Sequence, residues 1–481
     1  YYEKRWFTSG AKVHDERVVL CGSEIPFGTD VLFCSDEDSS FIFGVEICED
    51  LWSVVPPSTY HTLAGATIIG CLTSSNELIG RSVYVRDPIR GQSSRAMCGY
   101  VYASSGVHES TTDTVFSGQC IIAENGEVLA EHTGYSLGQS IIFQDIDTDL
   151  IESFRRQSTS YTDIDKPRHY RYLRFSNQQR SVANVERDYN PEPFLPEEPS
   201  KRAQRMEEIF NVQVYGLAKR IETKEISEIS LVVDGMRTGV AALYSVVHAM
   251  RTLKAYAGER MQDPTLRVAI NETRIGEEGK KCIGALCSLL NGKGSSVVFL
   301  EDGMTSAEGE LRVITSSLTE IALGLDTGRY NPAAGYAVNY TIAQSVLEPL
   351  LEWIRGHVAG SREEGELLAE TVSSDGDSGL VEDYRLYDFF LFYASKINLS
   401  SRKMIFMAGR AFGEAYDRKA LTERLAHFWK NFFLHNSKRF GVYDGPKIDV
   451  RMPSDASARI WLDELEFIHS GGHTVSRRSR L

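Results

Sequence analysis

Short apolar runs separated by polar turns fill the first third of the chain. Runs of about four to eight apolar residues bounded by turn signals predict buried β-strands. They occupy residues 17–22, 31–35, 41–47, 66–72, 100–106, 118–132 and 140–146. Within 118–132, Asn125-Gly126 predicts a hairpin turn, because both positions tolerate the positive φ angles of a two-residue connection. With a helix predicted over 82–99, we expect a sheet-rich layered domain.

After about residue 200 the period of the apolar positions becomes helical. Residues 201–222 predict a helix, 227–233 a strand and 240–253 a second helix. A strand, a glycine-bearing turn and a helix form the nucleotide-binding half of a parallel α/β unit. Further helices are predicted near 317–326, 341–358, 385–395, 402–413 and 418–435. This part is therefore predicted to be an α/β domain with a helical C-terminus.

A polar, proline-bearing stretch separates the two patterns and predicts a linker. The predicted domains are 1–180 and 201–481, joined by the linker 181–200. A chain of 481 residues is too long for one ordinary core, which also favours two domains.

The composition of the chain excludes some classes of binding partner and some cellular compartments. The net charge of −14 argues against nucleic-acid backbones as the main partner. No apolar run has membrane-spanning length and there is no secretory signal, so we expect a cytoplasmic protein without a membrane partner. The 8 cysteines include no zinc-type spacing and are predicted to be reduced thiols, with no metal site.

Cys48 is the strongest candidate for a reacting atom. It follows the apolar strand 41–47 directly and is itself followed by Glu49 and Asp50. Strand ends in α/β sheets are where ligands and catalytic groups collect. The alternative is a buried cysteine that only packs, since free cysteine behaves as a small hydrophobic residue.

An ordered set of motifs resembles the glutamine-dependent NAD⁺ synthetases. The motifs are YYEKRWF at 1–7, IPFGTDVLF at 25–33, GVEICEDLW at 44–52, TSSNELIGR at 73–81, GYVYASSGVHESTTDTVFSG at 99–118, LYDFFLFY at 386–393 and RMPSDASARIWLDELE at 451–466. The resemblance implies a nitrilase-like α-β-β-α sandwich for glutamine hydrolysis. It also implies a Rossmann-like ATP-pyrophosphatase-type domain with a parallel sheet, which amidates deamido-NAD⁺.

In this family the resemblance implies that Cys48 is the nucleophile of the glutamine site. Glu3 corresponds to an acid that orients a lysine, with a solvated terminal charge as the alternative. The family's catalytic Glu and Lys precede the YYEKRWF motif, so we expect a further segment before Tyr1. The implied glutamine-binding residues are Glu49, Trp52, Ser75 and Arg81. Arg81 suits a carboxylate because its guanidinium can donate two parallel hydrogen bonds, although a surface salt bridge is the alternative.

The ATP loop departs from the family pattern. The family carries SGGxDS directly after a strand, whereas this chain has VDGMRT at 233–238. Gly235 and the hydroxyl of Thr238 are retained in kind. Asp234 adds a side chain and a negative charge where phosphate would approach, and Arg237 replaces an acid that helps to order Mg²⁺. Arg237 could alternatively bind phosphate itself.

Three further nucleotide positions are implied by the resemblance of residues 318–340 to the family. They are Glu320, Thr327 and Asn339. ATP and Mg²⁺ are thus the implied cofactors, although the changes at Asp234 and Arg237 oppose their binding.

Three functions remain open from the sequence. The first is the family reaction, which forms NAD⁺ from glutamine, deamido-NAD⁺ and ATP. The second is a catalytically inactive structural or regulatory paralogue, and the third is a protein that keeps only the amidase activity of Cys48. The resemblance also implies a homo-oligomer or an assembly with a paralogue.

Overall fold

The computed structural model describes ten segments of the chain. They are residues 6–13, 16–165, 169–176, 185–260, 263–292, 295–300, 310–325, 335–373, 383–435 and 445–448. The chain divides into two compact units, Tyr1–Arg187 and Asp188–Leu481, and each is presented by itself.

A seven-stranded mixed sheet forms the centre of the first unit. The strands of this unit are β1 (Arg17–Leu20), β2 (Ser23–Pro26), β3 (Val31–Ser35), β4 (Ile42–Ile47), β5 (Ile68–Thr73), β6 (Gly99–Ser104), β7 (Cys120–Glu124), β8 (Glu127–His132) and β9 (Arg171–Phe175). The sheet order is β8-β7-β6-β5-β4-β3-β9, and β1 pairs with β2 in a separate ribbon. The central strands β4, β5 and β6 are parallel, so their carboxyl ends meet at one edge of the sheet.

The described α-helices of this unit are α1 (Pro57–Leu63), α2 (Arg81–Ala96), α3 (Thr148–Gln157) and the four-residue α4 (Thr159–Thr162). Of these, α1 and α2 pack against one face of the sheet. Val85 and Ile89 of α2 pack with Ile69 and Tyr100 of the sheet in one apolar cluster. On the opposite face Ile47 and its strand partner Leu72 are 61% and 59% exposed. The described residues thus supply one sheet and one helical layer of the predicted sandwich.

Most of the predicted elements of this unit are confirmed. The turn between β7 and β8 contains Asn125 and Gly126 with φ angles of 49° and 89°, as their sequence predicts. The strand predicted over 140–146 is wrong, because these residues form no strand and the side chains of Ile141 and Phe143 are largely exposed. Apolar residues alone do not make a strand without a neighbour that accepts its backbone hydrogen bonds.

A five-stranded parallel sheet forms the centre of the second unit. Its strands are β10 (Glu228–Val233), β11 (Thr265–Ile270), β12 (Ser296–Phe299), β13 (Leu311–Ile314) and β14 (Gly335–Ala337). In the order β12-β11-β10-β13-β14, the first strand, β10, is central. The next two strands along the chain lie on one side of it, and the last two lie on the other side. The topological switch point therefore lies between the carboxyl ends of β10 and β13, where ligands bind in open α/β sheets.

Helices make up most of the remainder of the second unit. They are α5 (Pro199–Thr223), α6 (Met236–Ala257), α7 (Glu277–Leu290), α8 (Leu318–Leu323), α9 (Gln344–His357), α10 (Arg362–Ser373), α11 (Tyr384–Leu391), α12 (Ser401–Ala411) and α13 (Arg418–Leu434). The predicted helices are confirmed, as are the α/β class, the parallel sheet and the helical C-terminal part. Phe194 and Leu195, inside the predicted linker, are buried in this unit. Among the described helices, none has the length and apolar character needed to cross a membrane.

Candidate glutamine and nucleotide sites

A sharp turn presents Cys48 at the carboxyl end of β4. The residue has a φ angle of 51° and begins a 3₁₀-helix, Cys48–Trp52. The Asp50 carboxylate accepts a hydrogen bond of 2.9 Å from the Ile47 backbone and so closes the turn. A non-glycine residue held in the left-handed region costs about 1–3 kcal/mol and is typical of functional sites. The arrangement of strand, positive φ and helix is that of a nucleophile elbow.

Ser75 lies beside the thiol. The Cys48 Sγ and Ser75 Oγ atoms are 3.6 Å apart. Ser75 follows β5, the parallel neighbour of β4, so the shared edge of the two strands brings the residues together. The structure therefore unites two residues that the sequence predicted for one site.

Trp52 and Arg81 form the next part of the same edge. The Arg81 guanidinium lies 5.6 Å from the centroid of the Trp52 ring, which also stacks on Tyr84 at 5.3 Å. The Arg81 Nε is buried and has no hydrogen-bond partner among the described residues. A buried, unpaired guanidinium N–H is suited to an anionic ligand such as a carboxylate. The sequence analysis did not identify Tyr84, although its position one helical turn after Arg81 indicated the contact.

Among the described residues, Glu49 is the predicted glutamine-site residue for which the structure shows no polar contact. Glu49 is exposed on the 3₁₀-helix and makes no hydrogen bond or ion pair within the described part of the chain. Glu3 lies outside the described residues. Their predicted roles stay predictions.

Glu46 is a buried acid two residues before Cys48 that the sequence analysis missed. It is 1% exposed on β4 and accepts hydrogen bonds from the Tyr100 hydroxyl and, at 2.8 Å, from the Ser58 backbone. Burial raises the pKa of Glu46 above its usual range. A charged residue type within an otherwise apolar strand was the signal that could have identified it.

The loop after β10 is held by contacts within the protein. Asp234 accepts a hydrogen bond of 2.8 Å from Asn271, which follows β11. Arg237 donates to the Val372 carbonyl from two of its nitrogens, at 3.2 and 2.7 Å. The guanidinium also lies 3.5 Å from the Tyr384 hydroxyl. Arg237 is therefore tied to the end of α10.

Asn339 and Thr238 lie together beneath the same loop. Asn339 is fully buried and donates 2.8 Å hydrogen bonds to the carbonyls of Thr238 and Thr315. Its side-chain oxygen accepts from Gln213 at 2.9 Å. These bonds connect the start of α6 with the end of β13, so the described contacts of Asn339 are structural ones.

Glu320 belongs to the cap of a helix. Its carboxylate accepts from the backbone and the hydroxyl of Ser317 in a capping box at the start of α8. Thr327 lies outside the described residues.

Two charged residues of this loop, Asp234 and Arg237, do not favour ATP with Mg²⁺. Gly235 caps α6, and a helix N-terminus favours phosphate, but the neighbouring Asp234 places a negative charge there. Arg237 stands where an acid would order the metal, and its guanidinium is engaged with Val372. No cluster of His, Cys, Asp or Glu suited to a metal ion is found within the described segments.

Comparison with known proteins finds sequence relatives that are glutamine-dependent NAD(+) synthetases. No protein-family model matches it. A glutamine-dependent NAD(+) synthetase from Mycobacterium tuberculosis (strain ATCC 25618 / H37Rv) is 28% identical over 549 residues, covering 97% of this chain and 80% of the relative. The synthetase of Mycobacterium leprae (strain TN) is 27% identical with the same coverage.

A solved structure, the glutamine-dependent NAD(+) synthetase from Cytophaga hutchinsonii, has a TM-score of 0.42 and 16% identity, covering 97% of this chain and 79% of that one. The family resemblance deduced from the motifs is confirmed by the sequence relatives. This chain is a homologue of the glutamine-dependent NAD(+) synthetases over nearly its whole length.

Proposed function

We propose that this chain carries out the glutamine-dependent part of its homologues' reaction, with Cys48 as the nucleophile. The observation that supports this most strongly is the strained turn at Cys48, with Ser75, Trp52 and Arg81 gathered around it. In the complete reaction the released ammonia converts deamido-NAD⁺ to NAD⁺ with the consumption of ATP.

The proposed chemistry begins at the sulfur atom. The Cys48 thiolate attacks the side-chain amide carbon of glutamine, the C–N bond breaks and ammonia leaves with an added proton. Water then hydrolyses the thioester to glutamate and restores the thiol. Arg81 would hold the α-carboxylate of glutamine, with Trp52 limiting the space above its guanidinium. In the family that the motifs resemble, a carboxylate base and a lysine that stabilises the oxyanion complete this chemistry.

A second candidate is a paralogue that does not perform the ATP-dependent half. The specific observation that favours it is the pair of engaged charges, Asp234 with Asn271 and Arg237 with Val372. Both charges occupy the loop that would approach phosphate. Such a chain could still regulate or complete an assembly through its retained fold.

Glutamine labelled with ¹⁵N in the side-chain amide tests both candidates. The full-length protein would be incubated with the labelled glutamine, deamido-NAD⁺ and ATP·Mg²⁺. We expect labelled ammonia, which Cys21→Ser, a change at an exposed cysteine, should leave unaltered. Label in NAD⁺ as well would reject the second candidate, and its absence there would favour it. Failure to release labelled ammonia would overturn the glutamine proposal.

A further inference from the structure

Glu46 has a place in the first unit that core packing does not explain. Its carboxylate is buried beneath α1, where an apolar side chain of similar volume would avoid the desolvation of an acid. One oxygen accepts the Ser58 backbone N–H and the other accepts the Tyr100 hydroxyl. Both oxygens therefore have donors, and the acid is fixed in one orientation.

The Glu46 carboxylate also connects the two ends of the segment that carries Cys48. Cys48 follows Glu46 by two residues, and the bond to Ser58 reaches the first turn of α1, beyond the 3₁₀-helix Cys48–Trp52. The Tyr100 hydroxyl, from β6, holds the second oxygen of the same carboxylate. The segment is therefore closed on an acid that is itself held in place.

We propose that Glu46, Tyr100 and Ser58 form a positioning network that holds the Cys48 backbone in its left-handed conformation and so directs the thiol toward the glutamine amide. The network contacts neither the substrate nor the sulfur of Cys48. It acts through the end of β4, two residues before the residue whose φ of 51° requires support from its surroundings. This inference rests on the proposed function of Cys48.

Tyr100→Phe tests the network because it removes the central hydroxyl and keeps the ring. We expect kcat for glutamine hydrolysis to fall about tenfold or more while KM changes little, since Ser75 and Arg81 are untouched. Tyr102→Phe is the matched control, because Tyr102 is also buried on β6 but has no bond to Glu46. Equal kcat values for the two variants would overturn the inference.

Glu46→Gln provides a second, isosteric test. An amide has one acceptor and one donor, so it cannot accept from both Ser58 and Tyr100, and one bond must be lost or reversed. The same fall in kcat with an unchanged KM is expected. A merely structural role for Glu46 would instead lower stability and leave kcat of the folded fraction unchanged.

Alkylation of Cys48 by iodoacetamide, followed by mass spectrometry, separates this inference from the proposed function. The rate relative to the exposed Cys21 needs no turnover of glutamine. We expect Tyr100→Phe and Glu46→Gln to change that ratio several-fold and Tyr102→Phe to leave it unchanged. A protein that hydrolyses no glutamine but shows these changes would refute the proposed function alone. Ratios unaffected by either network variant would refute the network.

Discussion

Replacing Cys48 with serine is expected to lower the kcat of glutamine hydrolysis by about a thousandfold or more. The change keeps the size of the side chain but replaces a thiol with an alcohol, which is a far weaker nucleophile without a dedicated base. Because Cys48 is only half buried, the fold should tolerate the substitution. Release of ammonia from glutamine by the wild type and Cys48→Ser, at equal folded concentration, gives the measurement.

Cys120→Ser is the control for this loss. Cys120 is also half buried and lies at the same edge of the sheet, but on β7, three strands away from β4. We expect it to retain the wild-type rate. If Cys48→Ser kept more than about a tenth of that rate, Cys48 could not be the nucleophile.

Restoring the family residues in the second unit should give the other large effect. The double change Asp234→Gly and Arg237→Asp is expected to tighten binding of ATP·Mg²⁺ by about tenfold or more. It removes a carboxylate and a Cβ atom from the approach of phosphate and returns an acid that can order the metal. Isothermal titration of the wild type and the double variant with ATP·Mg²⁺ measures the difference.

Asp263→Gly with Arg267→Asp is the matched control for the double change. It makes the same two replacements near the start of β11, at the opposite end from the loop. Its affinity should equal that of the wild type. The account of the loop would be wrong if the wild type already bound ATP·Mg²⁺ with micromolar affinity, or if restoring Gly and Asp left the affinity within about twofold.

The double variant should also be less stable to unfolding than the wild type. Replacing Arg237 removes the donors to the Val372 carbonyl, and a hydrogen bond to a charged group contributes about 1.5–3 kcal/mol. Unfolding by urea should therefore show a lower free energy for the double variant. This loss would show that Arg237 has been incorporated into the fold.

The sequence alone predicted those elements that depend on the pattern of neighbouring residues. Residues 41–47 predicted β4 because apolar side chains on both faces of a strand leave a continuous run. Asn125-Gly126 predicted its hairpin because the turn depends on two adjacent φ angles. Cys48, Ser75, Trp52 and Arg81 could be assigned to one site only through the family motifs, since their proximity depends on the pairing of β4 with β5.

Contacts between residues that are far apart in the chain could not be predicted from the sequence. The strand β9 pairs with β3, more than a hundred residues earlier, and its arginines gave no clear strand pattern. The run 140–146 had the apolar pattern but found no strand to pair with. Likewise, the partners of Glu46 and Arg237 come from other elements, Tyr100 from β6 and Val372 from α10. Such partners follow from tertiary packing, which local pattern does not specify.

Covalent labelling by a glutamine-mimicking diazoketone tests the central claim, that Cys48 is the nucleophile of a glutamine site, most directly. The full-length protein would be treated with and without excess glutamine, and the adducts located by mass spectrometry. Cys21 is a sharp internal control, because it is more exposed than Cys48 and has a similar φ of 52°. The account predicts an adduct on Cys48 that glutamine suppresses, with little on Cys21. No adduct on Cys48, or labelling of Cys21 at the same rate regardless of glutamine, would contradict it.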